Sequence, residues 1–258
     1  MSHRRFDTLG ELADATVLIT GVGRGLGRDL AIALSRHGAS IAAIDVDLSS
    51  AEATAEAVSA VGGTASAHQA DVTSEPDVTH VVADVTERFG KVDLLVNNAG
   101  VLTVNNVVDM PVSEWRRVLE VNATGTFLMA REVAKAMIAT QSQGSIINIA
   151  SIAGRRGDPG LAHYSASKFA VIGLTQALAQ EVGAHGITVN AICPGVVDTP
   201  MLAELAEAWH TSVDGLAARQ VVTRPQTPDE IADTVVYLHR CRSITGQSIN
   251  VDGGTIFS

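Results

Sequence analysis

The segment Thr20-Gly21-Val22-Gly23-Arg24-Gly25-Leu26-Gly27 constrains this chain more than any other, because of what flanks it. The apolar run before it, Ala15-Thr16-Val17-Leu18-Ile19, has the character of a buried parallel strand. Beyond it, Leu30, Ala31, Ala33 and Leu34 recur at helical spacing. Strand, glycine turn and helix in that order form a seat for a dinucleotide pyrophosphate. Glycine permits a tight turn and close backbone approach, and unpaired N–H groups at the helix start face the phosphates. Gly21, Arg24, Gly25, Leu26 and Gly27 are the candidate contacts.

Along the rest of the chain, β-like runs at 15–20, 39–45, 64–70, 92–97, 144–150, 186–193 and 246–251 alternate with helical stretches. That alternation predicts an α/β fold, a doubly wound parallel sheet of about seven strands with helices on both faces. Two helix starts are legible, at Ser74-Glu75-Pro76-Asp77 and at the capping box Thr227-Pro228-Asp229-Glu230. No linker, repeat or low-complexity stretch interrupts the pattern, so a single domain is expected over 13–258, after a solvated tail at 1–12. Only 200–225 lacks a strand; its helix-forming stretch Leu202 to Trp209 reads as a lid.

Composition narrows the function. A chain of 258 residues buries about three quarters of its unfolded surface, so no metal or disulfide is needed for stability. Cys193 and Cys241 have neither metal-ligand spacing nor a disulfide framework, which fits a reducing cytoplasm. The net charge of −10 argues against nucleic acid. No apolar run reaches membrane-spanning length, and Met1 to Asp7 lack the apolar segment of a signal peptide. A protein of the cytoplasm without membrane partners is expected.

Asp45 ends the second β-like run, about 20 residues beyond the glycine turn, where a carboxylate accepts hydrogen bonds from the adenosine ribose. A 2′-phosphate there would meet like charge. Asp45 therefore points to NAD; Arg24, a cation in the glycine loop, is the contrary signal toward NADP.

Tyr164 and Lys168 stand four apart on a helical stretch and share one face. A phenol normally loses its proton near pH 10, and a neighbouring ammonium favours the phenolate. Ser151 follows the strand 145–150, and Asn97-Asn98-Ala99-Gly100 end the strand begun at Val92, both at the carboxyl edge where open α/β sheets bind ligands.

Together these residues resemble the short-chain dehydrogenase/reductase family, over about residues 12 to 254. The family's Thr-Gly-x-x-x-Gly-x-Gly pattern falls on Thr20, Gly21, Gly25 and Gly27, its adenine-contacting pair on Asp71-Val72, and its structural turn on Asn97, Asn98, Ala99 and Gly100. Its catalytic tetrad falls on Asn122, Ser151, Tyr164 and Lys168. Pro194, Gly195, Val197 and Thr199 fall in or beside the motif that closes over the nicotinamide. The resemblance implies a Rossmann-type fold and an NAD-dependent oxidoreductase interconverting a secondary alcohol and its ketone. Tyr164 would act as general acid/base, Ser151 would stabilise the substrate oxygen, Lys168 would hold the nicotinamide ribose and depress the tyrosine, and Asn122 would hold a relay water.

Val101, Leu102, Ile152, Ala153, the loop from Gly157 to His163, and Val196 to Met201 are expected to line the substrate pocket, with His163 a candidate bond to a substrate hydroxyl and Trp209 a cap. The runs after Tyr164 and Gln247 look like those of polyol, butanediol and acetoin dehydrogenases. The alternative is a 3-oxoacyl-carrier-protein reductase, which would use NADPH and dock an acidic carrier on basic helix residues, of which Lys135 is one while Gln180 is neutral. A non-catalytic dinucleotide-binding regulator is the remote alternative. The resemblance also implies a homotetramer, with Ala130, Val133, Ala134 and Met137 facing Leu174, Ala177 and Leu178 across subunits.

Overall fold

In a computed structural model, which describes residues 11–257, the chain runs through β1 (Thr16–Thr20), α1 (Gly25–Arg36), β2 (Ser40–Asp45), α2 (Leu48–Ala60), β3 (Thr64–Gln69), α3 (Glu75–Phe89) and β4 (Leu94–Asn97). It continues through α4 (Val112–Leu119), α5 (Gly125–Ala139), β5 (Ser145–Ile149), α6 (Ala162–Val182) and β6 (Thr188–Pro194). α7 (Pro200–Ala208), α8 (Val213–Ala217), α9 (Pro228–Arg240) and β7 (Ser248–Val251) complete it. All seven expected strands are present, paired in parallel in the order β3-β2-β1-β4-β5-β6-β7. This is the doubly wound Rossmann-type sheet that the alternation predicts.

Alternate residues of the central strands face opposite layers. Val17, Ile19, Ile41, Leu94 and Val96 pack with α1 and α9, while Leu18, Ala42, Leu95 and Ile146 pack with α3, α5 and α6. The two legible caps form: the Ser74 side chain accepts from the Asp77 amide, and Thr227 and Glu230 close a capping box. One turn of π-helix, Glu120–Thr124, joins α4 to α5 and places Asn122 inside the fold.

The order reverses between β1 and β4, opening a crevice beyond the carboxyl ends of the strands. Most of the expected tail, residues 1–10, lies outside the described residues. Leu12, placed in that tail, is 1% exposed, and its amide donates to the carbonyl of His37. An apolar side chain there gains more from the layer beneath α1 than from water. The α5 face assigned to subunit contact is also corrected: Ala130, Val133, Ala134 and Met137 are buried against this chain's own sheet, whereas Ala177 of α6 is exposed. No helix among the described residues is long and apolar enough to cross a membrane.

Candidate active site

Backbone geometry builds the first wall of the crevice. Gly21 has a φ of +69°, a region that favours glycine, and a Cβ there would lie 2.7 Å from the Cα of Ala99. A Cβ at Gly27 would lie 2.2 Å from the Gly21 carbonyl oxygen. Asn98 fixes the approach of the two loops, donating from Nδ2 to the carbonyls of Thr20 and Gly21, each at 3.0 Å. No side chain caps the N-terminus of α1, and no acidic residue occupies its first turn. Those first-turn amides suit a phosphate, and the glycine cradle leaves room for the backbone to approach it. The residues present therefore fit a dinucleotide.

At the end of β2 the Asp45 carboxylate is fixed by two amides, Gly23 N at 2.8 Å and Asp47 N at 3.1 Å. Arg24, the contrary signal for the cofactor, pairs instead with Glu204 of α7 at 2.9 Å, in an exposed ion pair. Asp71 holds Thr73 through its amide and hydroxyl at the end of β3.

Opposite the glycine turn, Ser151 caps the short turn Ile152–Gly154, accepting from Ala153 N at 3.1 Å. Tyr164 and Lys168 project from the first turns of α6, and both are buried. The Lys168 ammonium lies 5.5 Å from the Tyr164 ring centroid and donates to the Ile149 carbonyl at 2.8 Å. Burial pushes the Tyr164 phenol up to about 12, with its hydrogen bond to Ser151 pulling the other way. Burial brings the Lys168 ammonium down to about 8.

Every residue expected to hold the cofactor, together with Ser151, Tyr164 and Lys168, lines one cavity of about 830 Å³. Asn122 does not: it is fully buried behind the wall. Its Oδ1 accepts from Val101 N at 2.8 Å, and its Nδ2 donates to the Val101 carbonyl at 2.9 Å and to Ser167 Oγ at 3.1 Å. Both amide hydrogens are thus engaged by protein, and the side chain braces the wall.

The cavity's other end is apolar. Val101, Leu102, Ile152, Leu161 and Met201 line it as expected, closed by Leu205, Trp209 and Leu216 from the segment read as a lid. His163 is absent from that lining: it is 0% exposed and bonds Thr103. Of the neighbouring Arg155 and Arg156, which follow the turn after Ser151, Arg156 lines the cavity while Arg155 turns inward to the Ser248 carbonyl. Arg117, Arg219 and Thr255 also line it, and sequence reasoning missed them. None sits in a motif; long-range packing alone brings them there.

A family model described as short chain dehydrogenase matches residues 15–209. The chain is 40% identical over 247 residues to the short-chain reductase protein NovJ of Streptomyces niveus, covering 93% of this chain and 94% of that protein. It is 36% identical to a 3-oxoacyl-[acyl-carrier-protein] reductase of a Synechocystis strain, over 95% of this chain and 98% of that one. The crystal structure of a short-chain type dehydrogenase/reductase from Mycobacterium marinum superposes with a TM-score of 0.89 at 32% identity, covering 97% of this chain and 98% of the other. With the glycine turn, the sheet order and the match all in one chain, this protein belongs to the short-chain dehydrogenase/reductase family of oxidoreductases.

Proposed function

We propose that this enzyme interconverts a small secondary alcohol, diol or polyol and its ketone, using NAD. The observation that carries the reading is the convergence of Ser151, Tyr164 and Lys168 in the one cavity that the uncapped α1 turn enters. A bound nicotinamide dinucleotide supplies the hydride acceptor or donor. Tyr164, protonated at neutral pH because burial raises it to about 12, gives its proton to the oxygen of a ketone in reduction. In oxidation its phenolate takes the proton of the alcohol. Ser151 hydrogen-bonds the same oxygen and stabilises charge developing there. Lys168 holds the nicotinamide ribose and places positive charge beside the phenol; Asn122 holds the wall that faces them.

Asp45 favours NAD, because a 2′-phosphate would be repelled by a carboxylate already anchored by two amides. The Arg24–Glu204 pair draws the loop cation toward α7. The carrier-protein reductase reading draws support from the Synechocystis relative. Against it stand Asp45, which disfavours the 2′-phosphate of NADPH, and the neutral Gln180. The proposal includes a homotetramer, with exposed Phe127 on α5 and Phe169 on α6, 42% and 48% exposed, as its apolar contact points. The test is NADH formation from NAD⁺ across secondary alcohols, diols, polyols and hydroxysteroids, with NADP⁺ in parallel. Turnover with NAD⁺ supports the reading; activity with NADP⁺ alone moves the carrier-protein reductase to first place.

A further inference from the structure

Behind the substrate wall lies a part-buried polar chain, with His163 its fully buried member, that the proposed chemistry does not use. The Thr103 hydroxyl sits 2.6 Å from Glu114 Oε1 and 2.7 Å from His163 Nε2, and Glu114 Oε2 accepts from Asn105 Nδ2 at 3.1 Å. Its members come from three segments: the loop after β4, the first turn of α4, and the first turn of α6 immediately before Tyr164.

The protons can be assigned. A carboxylate only accepts, and a hydroxyl has one hydrogen to give. Hydrogen bonds from Thr103 and Asn105 hold the Glu114 carboxyl below its usual range, so it is ionised. Thr103 therefore donates to Glu114, and His163 must donate to Thr103 from Nε2. That places a proton on His163 Nε2, which also lies 3.4 Å from Glu114 Oε1, while Nδ1 is buried without a partner. A proton on Nδ1 would be a buried donor with no acceptor, which is costly.

Val101 and Leu102 line the cavity, and Val104 packs in one apolar cluster with Tyr164 and Trp209. The wall is pinned at Val101 by Asn122, whose Ser167 partner bonds the Tyr164 carbonyl at 2.7 Å, and at Asn105 by the Gly160 carbonyl at 2.9 Å. The Glu114–Thr103–His163 chain ties the stretch between those pins to the helix carrying Tyr164.

We infer that Glu114 and His163 are positioning residues that lock the wall Val101–Val104 to the general-acid helix and so determine which alcohol fits against Tyr164. The inference rests on the proposed alcohol–ketone reading for its kinetic consequence, but not for its geometry.

Thr103→Val keeps the shape and removes the hydroxyl that joins the two, leaving only the 3.4 Å approach of His163 Nε2 to Glu114 Oε1. It should raise KM for the alcohol about tenfold or more, since it takes the 2.7 Å partner from the buried His163 Nε2, while the dissociation constant for NADH stays within about twofold. Glu114→Gln should act in the same direction, and the double variant should be little worse than Thr103→Val alone, because both break one chain. His163→Gln, which keeps a donor near Nε2, should recover most of what His163→Leu loses. Equal losses of alcohol and NADH affinity, additive losses, or no rescue would overturn the inference in favour of a merely structural role.

Two measurements do not depend on turnover. Nitrogen-15 chemical shifts should report His163 as the Nε2–H tautomer, and amide exchange at 101–105 should quicken in Thr103→Val while the β1–α1 turn is unchanged. An Nδ1–H tautomer or unchanged exchange would refute the brace itself. Failure of every alcohol with both dinucleotides, with tautomer and exchange as expected, would instead refute the proposed substrate and leave the brace standing.

Discussion

The glycine turn between β1 and α1 is held by main-chain atoms and short polar side chains, whereas the opposite wall is held by side chains from several elements. On the dinucleotide side, Asn98 and the Thr20 hydroxyl bond amides and carbonyls of neighbouring loops, and close backbone approach excludes a Cβ at Gly27. On the alcohol side, Asn122, Glu114 and His163 reach across to a loop that has no regular structure of its own. The first arrangement tolerates little change at a few positions. The second leaves the identity of each apolar lining residue, such as Leu102, Leu205 or Trp209, free to vary with the substrate.

Four substitutions and a pH profile test that division, from the largest effect down. Tyr164→Phe should lower kcat by about 10²–10⁴ with NADH affinity retained, read by steady-state rates beside a fluorescence titration. A parallel loss of NADH binding would mean that the two halves are not separable at α6. Gly27→Ala should cost about 1–3 kcal/mol of stability and abolish dinucleotide binding, because its Cβ would collide with the Gly21 carbonyl. Thermal melting with and without NADH would show both.

Asp45→Ser should shift the ratio of kcat/KM for NAD⁺ over NADP⁺ by about 10–100-fold toward NADP⁺, the like-charge repulsion near a protein surface being a few kcal/mol. The pH dependence should split by direction. Burial raises Tyr164 to about 12, so the protonated acid predominates at neutral pH. Oxidation, which needs the base, should gain up to about tenfold per pH unit on the alkaline side, while reduction should stay level until the pH nears 12. Parallel profiles in both directions would assign the proton transfer elsewhere. Trp209→Ala should raise the alcohol KM by about fivefold, the value of one partly buried apolar contact, without changing NADH affinity.

Much of the dinucleotide side was legible because its chemistry demands particular residues at particular spacings. Gly21, Gly25 and Gly27 announce a tight turn, Asp45 ends a strand, and Ser151 and Asn98 follow strands at the same sheet edge. Boundaries were less secure: β4 begins at Leu94 rather than 92, and the segment 200–225 contains two helices, α7 and α8. His163 illustrates the limit. Its place beside Tyr164 suggested a substrate contact, yet successive helix residues point about 100° apart, and the imidazole faces Thr103 instead. Ala130, Val133, Ala134 and Met137 make the same point, since an apolar helix stripe does not state whether its own sheet or a second subunit covers it.

The sequence by itself determined the sheet, the glycine turn and the residues that meet along the crevice, because strand alternation, helix caps and phosphate-seating turns are local properties of the chain. Only the tertiary structure decided that Arg24 pairs with Glu204, that the Asn122 side chain bonds Val101, and that Arg219 and Thr255 reach the cavity. Those outcomes depend on which distant side chains share a volume, and no local pattern encodes the competition among them for a partner.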